Sequence, residues 1–378
     1  MTLREKIERE IRERGPIPFS GYMELCLYDP ELGYYSRNVE KFGKAGDFYT
    51  SSDVHAVFGR LLARQFEEMW QALGSPEKIE ILELGAGRGL FAQDVLDWSE
   101  KKFPAFFQAL HYTLVESSSA LQKRLQASFR ERMAAGKVSV SPDVAALCTL
   151  RELTSENPVI VFANEFFDAM PVEVLSQQGS LRVDTQDGRF VERWVPASAA
   201  ELEFLDRYGV HPIDHARTEV ALVAQRQLEE VATNIQRGFL IAIDYGYTRE
   251  QQLAGRYLNT VMTYRQHAAS PNPYEAPGEQ DITAHVNFTA LAAAGERGGM
   301  HVHRLLTQSQ FLLGIGEATQ FVDAFEECRF PQERAKVALQ LKHLITPEGM
   351  GETFQVLVAS KGVAGAAVEG LSGLSFGK

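Results

Sequence analysis

Several things are scarce in this sequence, and each scarcity excludes something. There are 3 cysteines in 378 residues. Cys26, Cys148 and Cys328 lie too far apart to suggest a disulfide framework or a metal-ligand pair, which favours a reducing compartment. No apolar run reaches the roughly 18 residues of a membrane-spanning helix. Positive charge is in deficit: 38 Lys and Arg stand against 50 Asp and Glu, for a net charge of −12. With no Lys/Arg cluster to grip a phosphate backbone, nucleic acid is a poor partner. There is no internal repeat. The first ten residues mix both signs, unlike a secretory signal or a mitochondrial presequence. A cytoplasmic protein is expected.

What is present suits a globular enzyme: 45% hydrophobic and 23% charged residues, in a chain long enough for one large domain or two ordinary ones. The organising stretch is Ile79-Glu-Ile-Leu-Glu-Leu-Gly-Ala-Gly-Arg-Gly89. A β-favouring run enters a turn with glycines at 85, 87 and 89, and apolar residues then recur at helical spacing from Leu90 to Trp98. Strand, glycine turn and helix form the first unit of a nucleotide-binding α/β fold. The spacing is G-x-G-x-G, not the G-x-G-x-x-G of dinucleotide enzymes. Glu83, just before the turn, would repel a diphosphate and suits a cationic or zwitterionic nucleoside such as S-adenosyl-L-methionine.

The rest of the chain reads as α/β alternation. Strands are expected near 111–116, 137–140, 158–163 and 239–246, with a helix over 117–133 capped by Ser117 or Ser118. A short helix is expected over 142–150. Before the glycine turn come helices at 2–14, 18–30 and 53–73, separated by a Gly-, aromatic- and hydroxyl-rich loop. Period-2 segments near 172–178, 180–185 and 189–195, with Asp187-Gly188 as a hairpin turn, predict a small antiparallel insert. A helix is expected over 218–236, and a long irregular stretch over 247–287. Helices near 288–297, 317–328 and 331–345, a strand near 300–306 and a final strand over 354–359 complete the pattern. Residues 363–378 are expected to fray as a flexible tail. The domain reading is an N-terminal helical, lid-like segment (1–75), then an open-sheet domain (76–362) with inserts at 171–236 and 247–287.

In an open α/β sheet, ligands sit beyond the carboxyl ends of the strands. Four such ends carry polar groups: the glycine turn, Glu116, Asn164-Glu165 and Asp244-Tyr245. Glu116 has the place of the acid that binds ribose hydroxyls in nucleotide folds. Asn164 and Glu165 end a fully apolar strand and would orient an acceptor amine or guanidinium, since methyl transfer is an in-line displacement governed by alignment. Phe166 and Phe167 would wall the pocket. Asp168, Asp47, Thr50, Asp281, Thr283 and His285 are further candidates, with His285 either a base or a packed histidine. His301 and His303 share a strand face and His211 and His215 lie four apart. No third ligand accompanies either pair, so no metal is expected.

These motifs together resemble the MidA family of class I S-adenosylmethionine-dependent methyltransferases. The resemblance runs through Tyr28-Asp-Pro-Glu-Leu-Gly-Tyr-Tyr35, Gly46-Asp-Phe-Tyr-Thr-Ser51, Glu83-Leu-Gly-Ala-Gly-Arg-Gly89, Ala163-Asn-Glu-Phe-Phe-Asp-Ala-Met-Pro171, Ile243-Asp-Tyr-Gly246 and Asp281-Ile-Thr-Ala-His-Val-Asn-Phe288. It implies a Rossmann-like open sheet of seven mostly parallel strands with an antiparallel last strand, an N-terminal extension and α+β inserts. It further implies S-adenosyl-L-methionine as cofactor, held through Glu83, Gly85, Gly87, Gly89, Glu116, Asp47, Thr50 and Asn164. The chemistry would fall to Glu165, Asn164, Asp168 and His285. The implied activity is protein arginine methylation linked to assembly of a respiratory complex, with a respiratory-chain subunit as target and a homodimer allowed. Two rivals remain at this point: an assembly chaperone that binds the cofactor without catalysis, and a nicotinamide dehydrogenase.

Overall fold

The computed structural model describes residues 1–37, 56–143, 157–265 and 268–376. The chain forms two compact units. One comprises Met1–Phe48, Phe166–Glu229 and Tyr245–Ala294; the other comprises Tyr49–Glu165, Glu230–Asp244 and Gly295–Lys378.

The second unit contains the expected open sheet. Its strands lie in the order His301–Val302, Phe354–Lys361, Gly238–Tyr247, Val159–Asn164, Ile79–Leu84, Leu110–Val115 and Val138–Ser141. Five of them pair in parallel, with Leu84 opposite Val115 on one side and Ala163 on the other. Pairing of Gly238–Tyr247 to its neighbour runs from Gly238 to Ile243. The last strand, Phe354–Lys361, runs antiparallel to His301–Val302 and to Leu306–Thr307. Central strands buried on both faces need apolar side chains throughout, and Val159–Ala163 supply them. Phe91 and Phe162 stack at 4.4 Å between ring centroids, with Phe66 edge-on to both. Helices Ala56–Ala72 and Leu90–Lys102 thus cover this sheet through aromatic contacts.

The first unit is built on an antiparallel sheet in which Gly179–Gln186 pairs with Ile17–Pro18, Glu173–Ser176 and Arg189–Val195. The expected hairpin turn is present: Asp187 and Gly188 both adopt positive φ (50° and 70°), as a two-residue type I′ turn requires. Helix Leu3–Arg14 places Leu3, Ile7 and Ile11 in this unit's core with Tyr22, Met23 and Val183, and Thr2 and Glu5 close its capping box.

Several expectations need correction. The helix expected over 218–236 begins late: Thr218–Val220 is instead a strand paired with 173–175, and the helix is Leu222–Asn234. Buried Glu219 explains this, because its carboxylate accepts the backbone N–H groups of Thr260 and Val261, partners some 40 residues away in the chain. The helix expected over 117–133 divides at Phe129 into Ser119–Ser128 and Arg130–Ala134. The stretch 247–287 is not irregular. It contains helix Arg249–Leu253 and a three-stranded sheet of Met262–Arg265, Ala268–Ser270 and Asp281–Thr283. Of the helix expected near 317–328 only the short Val322–Phe325 forms, after Gln320 and Phe321 in the left-handed region, and an unexpected helix, Gln308–Glu317, precedes it. Beyond Gly362 the chain does not fray up to residue 376: Val368 and Leu371 are buried and the Gly373 N–H donates to Gln65. The short helix expected over 142–150 lies largely outside the described residues, as do Asp47 and Thr50.

Candidate active site

In the sheet unit, strand 79–84 ends in a turn whose three glycines differ in purpose. Gly85, Gly87 and Gly89 all have positive φ (71°, 55° and 75°), a conformation L side chains rarely adopt. At Gly87 a Cβ would meet nothing nearer than the Gly85 carbonyl at 3.9 Å, so its backbone faces open space. At Gly89 a Cβ would fall 2.6 Å from both Leu125 and Phe129, so this glycine permits the helix to pack. The turn is tied to the neighbouring strand, since the Gly85 and Ala86 N–H groups both donate to the Val115 carbonyl.

Two buried acids flank the turn. The Glu116 carboxylate accepts the Gly87 N–H at 3.0 Å and the Ser118 N–H at 2.8 Å. The Glu83 carboxylate accepts the hydroxyl of fully buried Tyr112 at 2.9 Å. Burial pushes Glu83 up to about 8, with the charge of Glu116 adding to the shift and the Tyr112 hydroxyl opposing it. Burial also raises Glu116, to about 7, against its backbone N–H donors. Tyr112 escapes notice in the sequence because it alternates along a strand among apolar neighbours and pairs with a glutamate 29 residues away.

Strand 159–164, next to the glycine strand, delivers Asn164 and Glu165. Glu165 has φ of 50°, a left-handed backbone for a residue with a Cβ, and its N–H donates to the Ile243 carbonyl. Such conformations are costly and concentrate at functional sites. The Asn164 amide donates to the Glu165 carboxylate at 3.1 Å, while the buried Asn164 Oδ1 has no hydrogen-bond partner among the described residues. The sheet unit therefore collects Glu83, the three glycines, Glu116, Asn164 and Glu165 at neighbouring strand ends.

The other unit has its own polar cluster. Asp168 is hydrogen-bonded by the Tyr245 hydroxyl, and burial raises its carboxyl to about 6. The Ala284 N–H donates to the Asp168 carbonyl, tying it to strand Asp281–Thr283. The Tyr35 hydroxyl donates to buried Asp281 at 2.9 Å. His285 packs its ring against Tyr245 and Tyr257, at 5.1 and 5.6 Å between centroids, and burial lowers its pKa. Asp168 and His285, both expected at the site, thus stand in one cluster with Tyr245. Among the described residues no group of three or more His, Cys, Asp or Glu side chains could hold a metal.

A glycine turn with open backbone, two buried carboxyls beside it and an open α/β sheet fit an S-adenosylmethionine-dependent methyltransferase. A model of such methyltransferases matches residues 61–306, and the chain belongs to this group and within it to the MidA family. A Drosophila melanogaster protein named as the mitochondrial protein arginine methyltransferase NDUFAF7 homolog is 29% identical over 97% of this chain and 86% of its own length. The Homo sapiens protein arginine methyltransferase NDUFAF7, mitochondrial, is 26% identical over 91% of this chain and 80% of its own. A Burkholderia thailandensis protein crystallised with S-adenosyl-homocysteine bound superposes with a TM-score of 0.81, at 30% identity, covering 98% of this chain and 94% of that one. The cofactor is S-adenosyl-L-methionine, which fits the two buried carboxyls and the open Gly87 backbone. The dehydrogenase reading is set aside. No described helix is long and apolar enough to cross a membrane.

Proposed function

We propose that this methyltransferase acts on an arginine side chain of a protein, with a respiratory-chain subunit as target. The observation that carries the acceptor assignment is Glu165, a carboxylate held on a left-handed backbone at a strand end and hydrogen-bonded by Asn164. The names of the relatives, protein arginine methyltransferases, support the same acceptor. The cofactor supplies an electrophilic methyl group on a sulfonium. Gly85, Gly87 and Gly89 leave room for its methionine part, Glu116 accepts from the ribose hydroxyls, and Glu83 and Asn164 complete the polar lining. Asp47 and Thr50 are assigned to the same task from the sequence.

Glu165 accepts a guanidinium N–H and turns a terminal nitrogen toward the methyl carbon. As the N–C bond forms, the C–S bond breaks and its electron pair stays on sulfur; the nitrogen then sheds a proton. Asp168 and His285 are assigned to the acceptor from the sequence, His285 as the base that takes the proton. The test is Glu165→Gln with S-adenosylmethionine labelled in the methyl group. The expected result is an unchanged cofactor affinity and a methyl-transfer rate lower by about 10²-fold or more, the scale of general acid–base and orienting contributions. Transfer at the wild-type rate sinks the assignment.

A non-catalytic chaperone that binds the cofactor while assembling a respiratory subunit is the second reading. Lysate from a strain deleted for the gene separates the two: label entering a protein at arginine supports the enzyme, and its absence alongside cofactor binding supports the chaperone. Cytoplasmic placement and a homodimer belong to the same proposal. The relatives are named mitochondrial, so fractionation of the native host is the relevant measurement, with sedimentation for the dimer.

A further inference from the structure

A cavity of about 640 Å³ opens in the sheet unit well away from the acids just described. Its lining includes His301, His303, Arg304, Lys361 and Glu369, with Leu306 and Val368 as apolar contacts. Its position follows from hydrogen bonds. Lys361 Nζ donates to the carbonyls of Ala232, Thr233 and Gly298, and Arg237 Nε donates to the Gly362 carbonyl. Residues 232–237 lead into strand 238–247, so the cavity lies at the entry end of the parallel strands. Glu116 and Asn164-Glu165 lie at the carboxyl ends.

The charge of this cavity runs against that of the whole. In a chain of net charge −12, two cations line it against one carboxylate, Glu369. Among the described residues, the hydrogen bonds of Lys361 go to the three carbonyls and that of Arg304 to the Phe376 carbonyl, with no ion pair for either. Carbonyls fix these groups in place without neutralising them, and Glu369 offsets only one of the two charges. Two imidazoles add donors and flat surfaces: the His301 and His303 rings meet edge to face at 4.8 Å, and His303 Nε2 is fixed by Ser360 Oγ at 2.9 Å. A volume of this size is in the range of small-molecule sites, in which a few polar groups set orientation over an apolar floor. Fixed cations beside planar rings and aliphatic side chains match an oxyanion carried on a flat organic body.

We propose that this cavity is a second ligand site, distinct from the methyl-transfer site, for a small organic phosphate of mononucleotide size. Arg304 and His301, both exposed, would contact the phosphate, and Lys361 would supply field from its fixed position.

The test uses the full chain saturated with S-adenosylhomocysteine, so that the cofactor site is closed. Uridine monophosphate, which lacks the adenine of the cofactor, is titrated calorimetrically at low salt, beside inorganic phosphate and succinate. Saturable binding of uridine monophosphate, tighter than that of phosphate, is expected. Arg304→Ala and His301→Ala should each weaken it about tenfold, the size of one lost charge-assisted hydrogen bond, with S-adenosylhomocysteine affinity unchanged. No saturable binding of the nucleotide overturns the proposal, as does nucleotide binding that neither substitution weakens. Succinate binding as tightly as the nucleotide overturns the phosphate assignment. Both substituted residues are exposed, so loss of fold is not expected, and a thermal melt of each variant checks it.

Discussion

Two kinds of buried carboxylate can be set side by side: Glu116 at the glycine turn, and Asp168 and Asp281 in the other unit. Both are removed from water, and burial raises Glu116 and Asp168 alike. They differ in what holds them. Glu116 is held by backbone N–H groups of its own loop and of the glycine turn. Asp168 and Asp281 are held by tyrosine hydroxyls from residues 77 and 246 positions away. A backbone-held acid follows from a local motif. A tyrosine-held acid exists only once distant segments have come together, and its geometry is tuned by a single replaceable hydroxyl. We read the first arrangement as built for an invariant ligand, the cofactor, and the second as built for the acceptor.

The largest expected effect tests the first half of that contrast. Glu116→Ala removes the proposed ribose acceptor and leaves the Gly87 N–H without its partner, so S-adenosylmethionine affinity should fall by about 100-fold, or roughly 3 kcal/mol for two charge-assisted hydrogen bonds. Calorimetry measures it; a loss under threefold would remove Glu116 from the cofactor site. Next come the two glycines. Gly89→Ala should cost about 2 kcal/mol of stability, from a positive φ plus a clash with Leu125 and Phe129. Gly87→Ala should cost about 1 kcal/mol, from φ alone. Equal losses in denaturant titration would erase the distinction between packing and open backbone.

The tyrosine-held half predicts a smaller and different change. Tyr245→Phe should raise the KM for the acceptor about tenfold while leaving cofactor affinity alone, since one hydrogen bond to a charged group is lost. A change in cofactor affinity instead would merge the two groups into one.

The subtlest effect concerns pH. Glu83 holds its proton in the folded protein up to about pH 8, whereas the unfolded carboxyl releases it near 4.5. Its contribution to stability is therefore present below pH 4.5 and lost as pH rises toward 8. Glu83→Gln, which can still accept from Tyr112, should match the wild type near pH 4 and melt roughly 2–4 °C higher at pH 8.5, the shift of about 1 kcal/mol. In the wild type, affinity for the cationic cofactor should rise with pH through the same window as the carboxylate charges, and the variant should lose that slope. An identical pH slope in both proteins would assign the proton elsewhere.

The same contrast explains what could be read in advance. The parallel sheet announced itself in apolar runs such as Val159–Ala163, the glycine turn in its spacing and the hairpin in Asp187-Gly188. Each signal is local. Glu83, Glu116, Asn164 and Glu165 could be named because strand ends of an open sheet are where ligands go. Tyr112 and Tyr35 could not, since a tyrosine in an apolar stretch gives no sign of which acid it will meet. Strand Thr218–Val220 failed for the same reason, its pairing partners being remote. Helices Ala199–Tyr208 and Gln308–Glu317 are a different matter. Ser198 with Glu201 and Thr307 with Gln310 form capping boxes, and that signal was available in the residues themselves.

The left-handed backbone at Glu165 also has an evolutionary consequence. Glycine or asparagine would occupy φ of 50° at lower cost than glutamate, so most drift away from glutamate there would gain stability. Only selection for chemistry opposes that drift. A lineage that kept this fold for holding a partner, and no longer for modifying it, should therefore be recognisable by glycine or asparagine at this one position, with the glycine turn intact.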